Sequence, residues 1–461
     1  MNEKGRLSLA ALTEEIRAER IDTVVTALPD LYGRLVGKRI MGEFFLDEIA
    51  HGGMHVCDYL LACDIEMDPT PGYSFTSWAS GYGDLHAVPD LDTLRRAAWQ
   101  ERTALVLCDA LHDDRDEPIE VSPRRILRRQ VGLASQAGLH PHVGSELEFF
   151  LFDETYASAR ERGYRQLRTS QSYIEDYHVL SSSFAEPVIG AIRAGVDASA
   201  IPVEFSKGEW GPGQHEINLR YAPAVEMADR HVIYKLAAKE IAAAQGRALT
   251  FMAKWHHDHA GNSLHIHLSM ARDDGTPAFA GDESVPGTDL VAAPTFRYAL
   301  AGMLDHAREF ALLFAPNSNS YKRYQDGSFA PTRVAWSYDN RTVGFRVVGR
   351  GPSLRVECRI PGGDANPYLA YAGLIASALD GIERRLEPEP AFVGDAYAAA
   401  DLPRVPRSLD AAIERFDDSS FARKAFGGDV VEHILHFART ESAAAARAVT
   451  DVERARWFER I

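Results

Sequence analysis

Glu146 and Glu148 stand two residues apart in GSELEFFLF, residues 144–152. The segment is a run of β-formers and aromatics with Gly138 and Gly144 as turn signals upstream, and it predicts a strand. Residues two apart share a strand face, so the two carboxylates point together. Such a pair repels itself unless a cation or water screens it. It fits a solvated edge strand or half of a divalent-metal site. Three other segments repeat the pattern. His265, His267 and Ser269 alternate with Leu264, Ile266 and Leu268. Arg355, Glu357 and Arg359 alternate with Val356, Cys358 and Ile360. Glu209 and Glu216 flank the turn sequence GPGQ. Each segment alone could be a wet sheet face or, for the histidines, structural. Together they predict a sheet whose charged face lines a cavity, because burying unpaired charges is costly. Five glutamates with His265 suit a hard cation such as Mg²⁺ or Mn²⁺, and they are enough for two ions. Arginines on the same wall, with Arg323, Arg341 and Arg346, suit planar carboxylate and phosphate groups. That combination implies phosphoryl transfer from a nucleotide. No GxxxxGK(S/T) sequence is present, which excludes a P-loop enzyme.

The elements that must position these residues follow from the rest of the chain. Its 461 residues, 46% hydrophobic and 25% charged, predict a soluble protein of two domains. A net charge of -16 argues against nucleic-acid or anionic-membrane binding. Cys57, Cys63, Cys108 and Cys358 show no CxxC spacing, so neither a zinc ribbon nor a disulfide framework is indicated. The opening residues carry charge throughout and lack a signal-peptide pattern, and no apolar run is long enough to span a membrane. A cytoplasmic location is expected. Residues 7–20 predict a helix, 21–28 a strand, 30–40 a hairpin, 64–84 a loop and 104–109 a strand. Polar residues 111–125 read as a linker. Beyond it come a helix over 123–138, another around 185–195, and strands on either side of the GPGQ turn. Residues 224–246 predict an amphipathic helix capped by Gly246. LTFMAKW and NSLHIHLSM predict strands, and residues 295–314 a second long helix. Strands around 330–360 and helices from Pro367 onward complete the chain.

The motifs GSELEFFLF, EWGPGQHEI, GNSLHIHLS, NSNSYKR, DNRTVGFRV and RVECRIPGGDANPYLAYAGLIASALDGI resemble the glutamine synthetase superfamily nearly end to end. The resemblance implies an α+β fold, with a small β-grasp-like domain over residues 1–112. The large catalytic domain, 113–461, would contain a curved antiparallel sheet. It implies a ring-stacked homo-oligomer, commonly a dodecamer, with active sites between subunits. Carried over by position, Glu148, Glu209 and Glu216 would hold one Mg²⁺ or Mn²⁺, and Glu146, His265 and Glu357 the other. Arg323 and Arg359, with backbone at Gly261, would bind glutamate. Arg341 and Arg346 would hold the phosphates of ATP, with His267 near them. Glu204, Tyr221, Ser269 and Arg355 would surround ribose and adenine. The implied reaction phosphorylates the γ-carboxylate of glutamate, after which an amine displaces phosphate; Arg341, Glu209 and Arg323 would act in catalysis.

The chain departs from ammonia-using members at two places. Those members carry Asp-Gly-Ser-Ser in the N-terminal domain, where this chain has PTPGYSFTSW, residues 69–78. They also carry a flap glutamate, where this chain has Phe329 in YQDGSFAPTR. Of the ammonium-site groups, Tyr177 and Glu209 are retained. Losing two carboxylates weakens binding and deprotonation of a small cation, and aromatics suit an amine with a carbon tail. The pattern resembles the γ-glutamyl-amine ligases, which use polyamines, ethanolamine or other monoamines. With Asp68 and Asp326 the only nearby acids, a small monoamine is favoured over a long polyamine. Glu209 or Asp176 would then serve as base. Two other functions fit the same residues: ammonia-dependent glutamine synthesis, and metabolite binding without turnover. The neighbourhood of Tyr397 differs too much from the family's adenylylation loop to predict that regulation.

Overall fold

Every strand that carries a candidate ligand lies in one sheet, and a second sheet precedes it in the chain. The computed structural model describes residues 4–461. In its first part β1 (Thr23–Pro29), β2 (Leu35–Met41), β3 (Met54–Cys57), β4 (Asp84–Pro89), β5 (Arg95–Arg96) and β6 (Thr103–His112) form six strands. Their order is β2-β1-β6-β4-β3, with β5 also paired to β6. The β1–β6 pair is parallel and the others antiparallel. The hairpin between β1 and β2 turns where the Asp30 carboxylate accepts the N–H groups of Tyr32 and Arg34. Gly33 takes the positive φ that this turn requires.

The second part contains β7 (Leu139–Phe152), β8 (Val203–Gly208), β9 (Gln214–Leu219), β10 (Ala222–Pro223), β11 (Ala248–Thr250) and β12 (Leu264–Arg272). A short ribbon, β13 (Glu283–Ser284) with β14 (Val291–Ala292), stands apart, and β15 (Trp336–Tyr338), β16 (Phe345–Val348) and β17 (Arg355–Cys358) follow. The main sheet runs β15-β16-β17-β12-β7-β9-β8, with β10 and β11 on β7. Its β15–β16 pair is parallel, in a sheet otherwise antiparallel among the described residues. Alternation gives this sheet two unlike faces. Leu147, Ile217, Leu264, Ile266, Leu268, Val356 and Cys358 are buried in the hydrophobic core. Burial contributes about 1.5–3 kcal/mol for each large aliphatic side chain. The helices Pro123–Gln136, Ala224–Ala244 and Pro367–Arg384 pack into the same core, the first two directly against β7. The opposite face carries the charged residues.

Four local expectations change. Gly144 lies inside β7 and does not start it; Gly138, at positive φ, makes the turn. The helix Ala224–Ala244 is buried around most of its circumference, including Asp229, Arg230 and His231, and only a narrow strip near its end, with Lys239, is exposed. LTFMAKW pairs only as far as Thr250. Beyond it, the Asn262 amide donates to the carbonyls of Thr250 and Met252, which takes them out of any ladder. The long helix over 295–314 is two helices, Pro294–His306 and Ala311–Phe314. The break begins where the His306 ring bonds Asp380 at 2.9 Å and stacks on Phe421.

The two sheets are locked together by buried polar contacts. The Asn366 amide donates to the carbonyls of Asp30 and Leu31. Arg124, 2% exposed, reaches Asp90 at 2.6 Å, Asp109 at 2.5 Å and Asp229 at 2.8 Å. No helix among the described residues is long and apolar enough to cross a membrane. Removing Arg124 leaves Asp229 buried without its cation, so Arg124→Leu should lower unfolding free energy by about 3–5 kcal/mol. A urea midpoint unchanged by the substitution would show that this junction does not hold the fold together.

Candidate active site

Register brings the charged residues to one cavity of about 580 Å³. Glu148 faces Glu216 across β7–β9, Glu146 faces His265 across β7–β12, and His267 faces Glu357 across β12–β17. Directly opposed residues are near neighbours, so their ligand atoms converge. Glu148, Glu209 and Glu216 each bring an oxygen within 4.8 Å of the others. Glu146, Glu216 and His265 form a second such group, and Glu146, His267 and Glu357 a third. Glu209 enters from the β8–β9 turn, where its N–H donates to the Gln214 carbonyl at 2.8 Å. The Gln214 amide lies 3.1 Å from the Glu148 carboxylate and 3.0 Å from the Gly261 carbonyl. Ser263 N–H donates to Glu148 at 2.7 Å.

The two halves of the site differ in charge balance. Burial, then the neighbouring Glu209, pushes Glu148 up to about 8. Burial and the same neighbour, with Glu146 and Glu148, push Glu216 well above the carboxylate range. On the other side burial is overcome. Arg359, 2.5 Å away, and His265 hold Glu357 at about 2. The imidazoles of His267 and His265 hold Glu146 well below its usual value against burial. Burial, then Arg359, lowers His265 to about 4, which keeps it in the neutral form that ligates metals. Its Nε2 is buried with no hydrogen-bond partner. Self-repelling carboxylates and an orphaned imidazole nitrogen are what a divalent cation would satisfy, so the donor set fits one.

The arginines are unequally engaged. Arg323 is 1% exposed and spends both terminal nitrogens on the carbonyls of Ile360 and Arg359 and the Ser263 hydroxyl. Arg346 bridges Glu357 at 2.9 Å and Asp339. Arg341 is exposed at the cavity and makes no hydrogen bond or ion pair among the described residues. Gly261 is required by contact: a Cβ there would stand 2.6 Å from the Ala253 carbonyl oxygen and from Arg323 Cγ. Next door, a cavity of about 550 Å³ is lined by Glu204, Tyr221, Ser269 and Arg355. Glu146 and His267 also line it, and Glu146 borders both cavities. Arg355 donates to His267 at 3.2 Å.

At the mouth, Tyr177 (φ 55°) and Phe329 (φ 62°) both hold left-handed backbone, which bulky residues rarely adopt. Phe329 meets Trp210 edge-on, with centroids 5.3 Å apart. The structure also brings in residues that sequence reasoning missed. Trp210 is one, and Lys207 is another, with its Nζ 2.5 Å from Glu209 and 3.4 Å from Asp176. Its position two residues before Glu209 on a strand was the available signal.

A sheet with an acidic, arginine-edged face defines a class, and comparison identifies it. Residues 120–457 match the family described as glutamine synthetase, catalytic domain, and the chain belongs to that family. It is 48% identical over 456 residues to the γ-glutamylethanolamide synthetase of Streptomyces coelicolor, covering 99% of this chain and 96% of that one. It is 36% identical over 464 residues to a glutamate–isopropylamine ligase of a Pseudomonas species, covering 100% of both. A solved structure of GmaS with ADP superposes with a TM-score of 0.83 at 26% identity, covering 97% of this chain and 99% of that one.

Glu148 and Glu216 bind protons more tightly folded than unfolded. In metal-free protein the stabilising contribution of Glu148 is full below about pH 4.5 and is lost as pH rises toward about 8, and that of Glu216 is likewise lost above the usual carboxylate range. A bound divalent ion reverses that loss. The melting-temperature rise on adding Mg²⁺ to chelator-treated protein should therefore be larger near pH 8 than near pH 6. Glu148→Gln should flatten the metal-free pH dependence, and a metal shift equal at both pH values would contradict the assignment.

Proposed function

We propose that the protein is an ATP-dependent ligase that joins the γ-carboxyl of glutamate to an organic amine through γ-glutamyl phosphate. The observation that carries this reading is the pairing of an acidic, arginine-edged cavity with a mouth closed by Phe329 and Trp210 rather than carboxylates. The two relatives, one named for a γ-glutamylethanolamide product and one for joining glutamate to isopropylamine, support it. The neighbouring cavity, with Glu204, Tyr221, Ser269 and Arg355, would take the nucleoside of ATP. His267 and Arg346 would lie beside its phosphates. Arg341, with no partner among the described residues, can meet the phosphoryl group as charge develops. Glutamate would lie against Gly261, Arg359 and the unpartnered Nε of Arg323.

Two Mg²⁺ or Mn²⁺ ions would be held by Glu148, Glu209 and Glu216 and by Glu146, His265 and Glu357, where they would neutralise phosphate and carboxylate oxygens. In the first step a γ-carboxylate oxygen of glutamate attacks the terminal phosphorus of ATP, and the bond to ADP breaks. The amine nitrogen then attacks the acyl carbon, phosphate leaves, and a carboxylate at Asp176 or Glu209 takes the proton from nitrogen. Tyr177 and Phe329 would form the amine side. The reading includes a division at residues 112/113 and a homo-oligomer, expected as a dodecamer with active sites between subunits.

A phosphate-release assay over a panel of amines tests the proposal. Ethanolamine or a short alkylamine should support turnover that requires ATP, glutamate and Mg²⁺, with little turnover on ammonium. Ammonium serving as well as any amine would establish glutamine synthesis instead, and no release with any amine would establish binding without turnover. Phe329→Glu should raise ammonium use, and Arg341→Ala should lower kcat by roughly tenfold or more.

A further inference from the structure

We infer that Lys207 is a specificity-determining residue whose side-chain ammonium occupies the small-cation position of the amine pocket and disfavours free ammonium as substrate. The inference rests on the ligase reading above. Lys207 lies on β8, its side chain 17% exposed, and among the described residues it is the only lysine lining the catalytic cavity. Its Nζ stands 2.5 Å from Glu209 and 3.4 Å from Asp176, and 4.5 Å from the centre of the Tyr177 ring. Two carboxylates and an aromatic face around a primary ammonium make a cation site of the kind that would hold a small ammonium ligand. The chain fills that site with its own side chain.

Glu209 belongs also to the cluster with Glu148 and Glu216. A divalent ion held by those three repels a neighbouring ammonium. Lys207 must then release Glu209, and Asp176 and Tyr177 already stand where its ammonium would settle. Free ammonium entering this pocket has to displace a tethered copy of itself, present at high effective concentration. An alkylamine can instead lay its carbon tail against the packed Trp210 and Phe329 rings. A fixed positive charge beside the incoming nitrogen also favours its neutral, nucleophilic form.

Full-length protein carrying Lys207→Met or Lys207→Arg separates the possibilities. After chelator treatment, Mn²⁺ binding followed by calorimetry should be several-fold tighter in Lys207→Met and unchanged in Lys207→Arg. The ratio of ammonium-dependent to isopropylamine-dependent phosphate release should rise at least tenfold in Lys207→Met and stay near the unaltered value in Lys207→Arg. Lys207→Gln, which removes the charge while keeping a polar side chain, should shift that ratio in the same direction as Lys207→Met. Either readout unmoved in Lys207→Met overturns the assignment. Should that variant fail to fold, an unshifted ratio in Lys207→Gln overturns it. An unaltered enzyme with no amine-dependent release overturns the ligase reading instead, which is a separate outcome.

Discussion

Repulsion between carboxylates held on one face of an antiparallel sheet is the constraint on which the rest of the structure depends. Glu146 and Glu148 share a face of β7 because of strand geometry, and the registers with β9 and β12 add Glu216 and His265. An apolar opposite face, buried against helices, keeps the sheet from presenting these groups elsewhere. The charge therefore has to be met inside the cavity. One half is met by the protein itself: Arg346 and Arg359 clasp Glu357, and His265 and His267 flank Glu146. The half around Glu148 and Glu216 is met only in part, by Lys207 at Glu209, and burial there favours protons or an external cation.

That imbalance connects folding to chemistry. A site so poorly balanced would draw divalent ions, and on the proposed reading those ions lie between the nucleotide cavity and the wall that takes glutamate. Glu146, bordering both cavities, is the physical divider between them. The same reasoning separates the proposed amine end from the rest. There the walls are Trp210, Phe329 and Tyr177, and two of these three are held in left-handed backbone. Strained residues persist where surrounding structure over-determines them, and such positions cluster at ligand contacts.

Much of this was legible in the sequence because a sheet with one wet face writes itself as period-two alternation. The strands bearing Glu146, His265 and Glu357 are of that kind, and their common face followed from packing cost alone. Lys207 was less legible. An irregularity in β8 between Val203 and Phe205 resets which residues face the cavity, and only after it does Lys207 stand opposite Glu216. Element limits were hidden for a different reason. The stop at Thr250 and the break after His306 depend on side chains of Asn262 and Asp380, distant in sequence. The sequence predicts an amphipathic helix over 224–246, yet Asp229 and Arg230 are buried, Asp229 against Arg124.

Oxygen transfer gives the most direct test of the view that this polar face brings a phosphoryl group onto the glutamate carboxylate. Glutamate labelled with heavy oxygen in its γ-carboxyl group would be turned over with ATP, Mg²⁺ and a preferred alkylamine, and the released phosphate analysed by mass spectrometry. One labelled oxygen should appear in the phosphate for each γ-glutamyl amide formed, because the carboxylate oxygen that attacks phosphorus leaves with it. Amide formation with unlabelled phosphate would contradict the acyl-phosphate route and, with it, the part that the two carboxylate clusters play in that route.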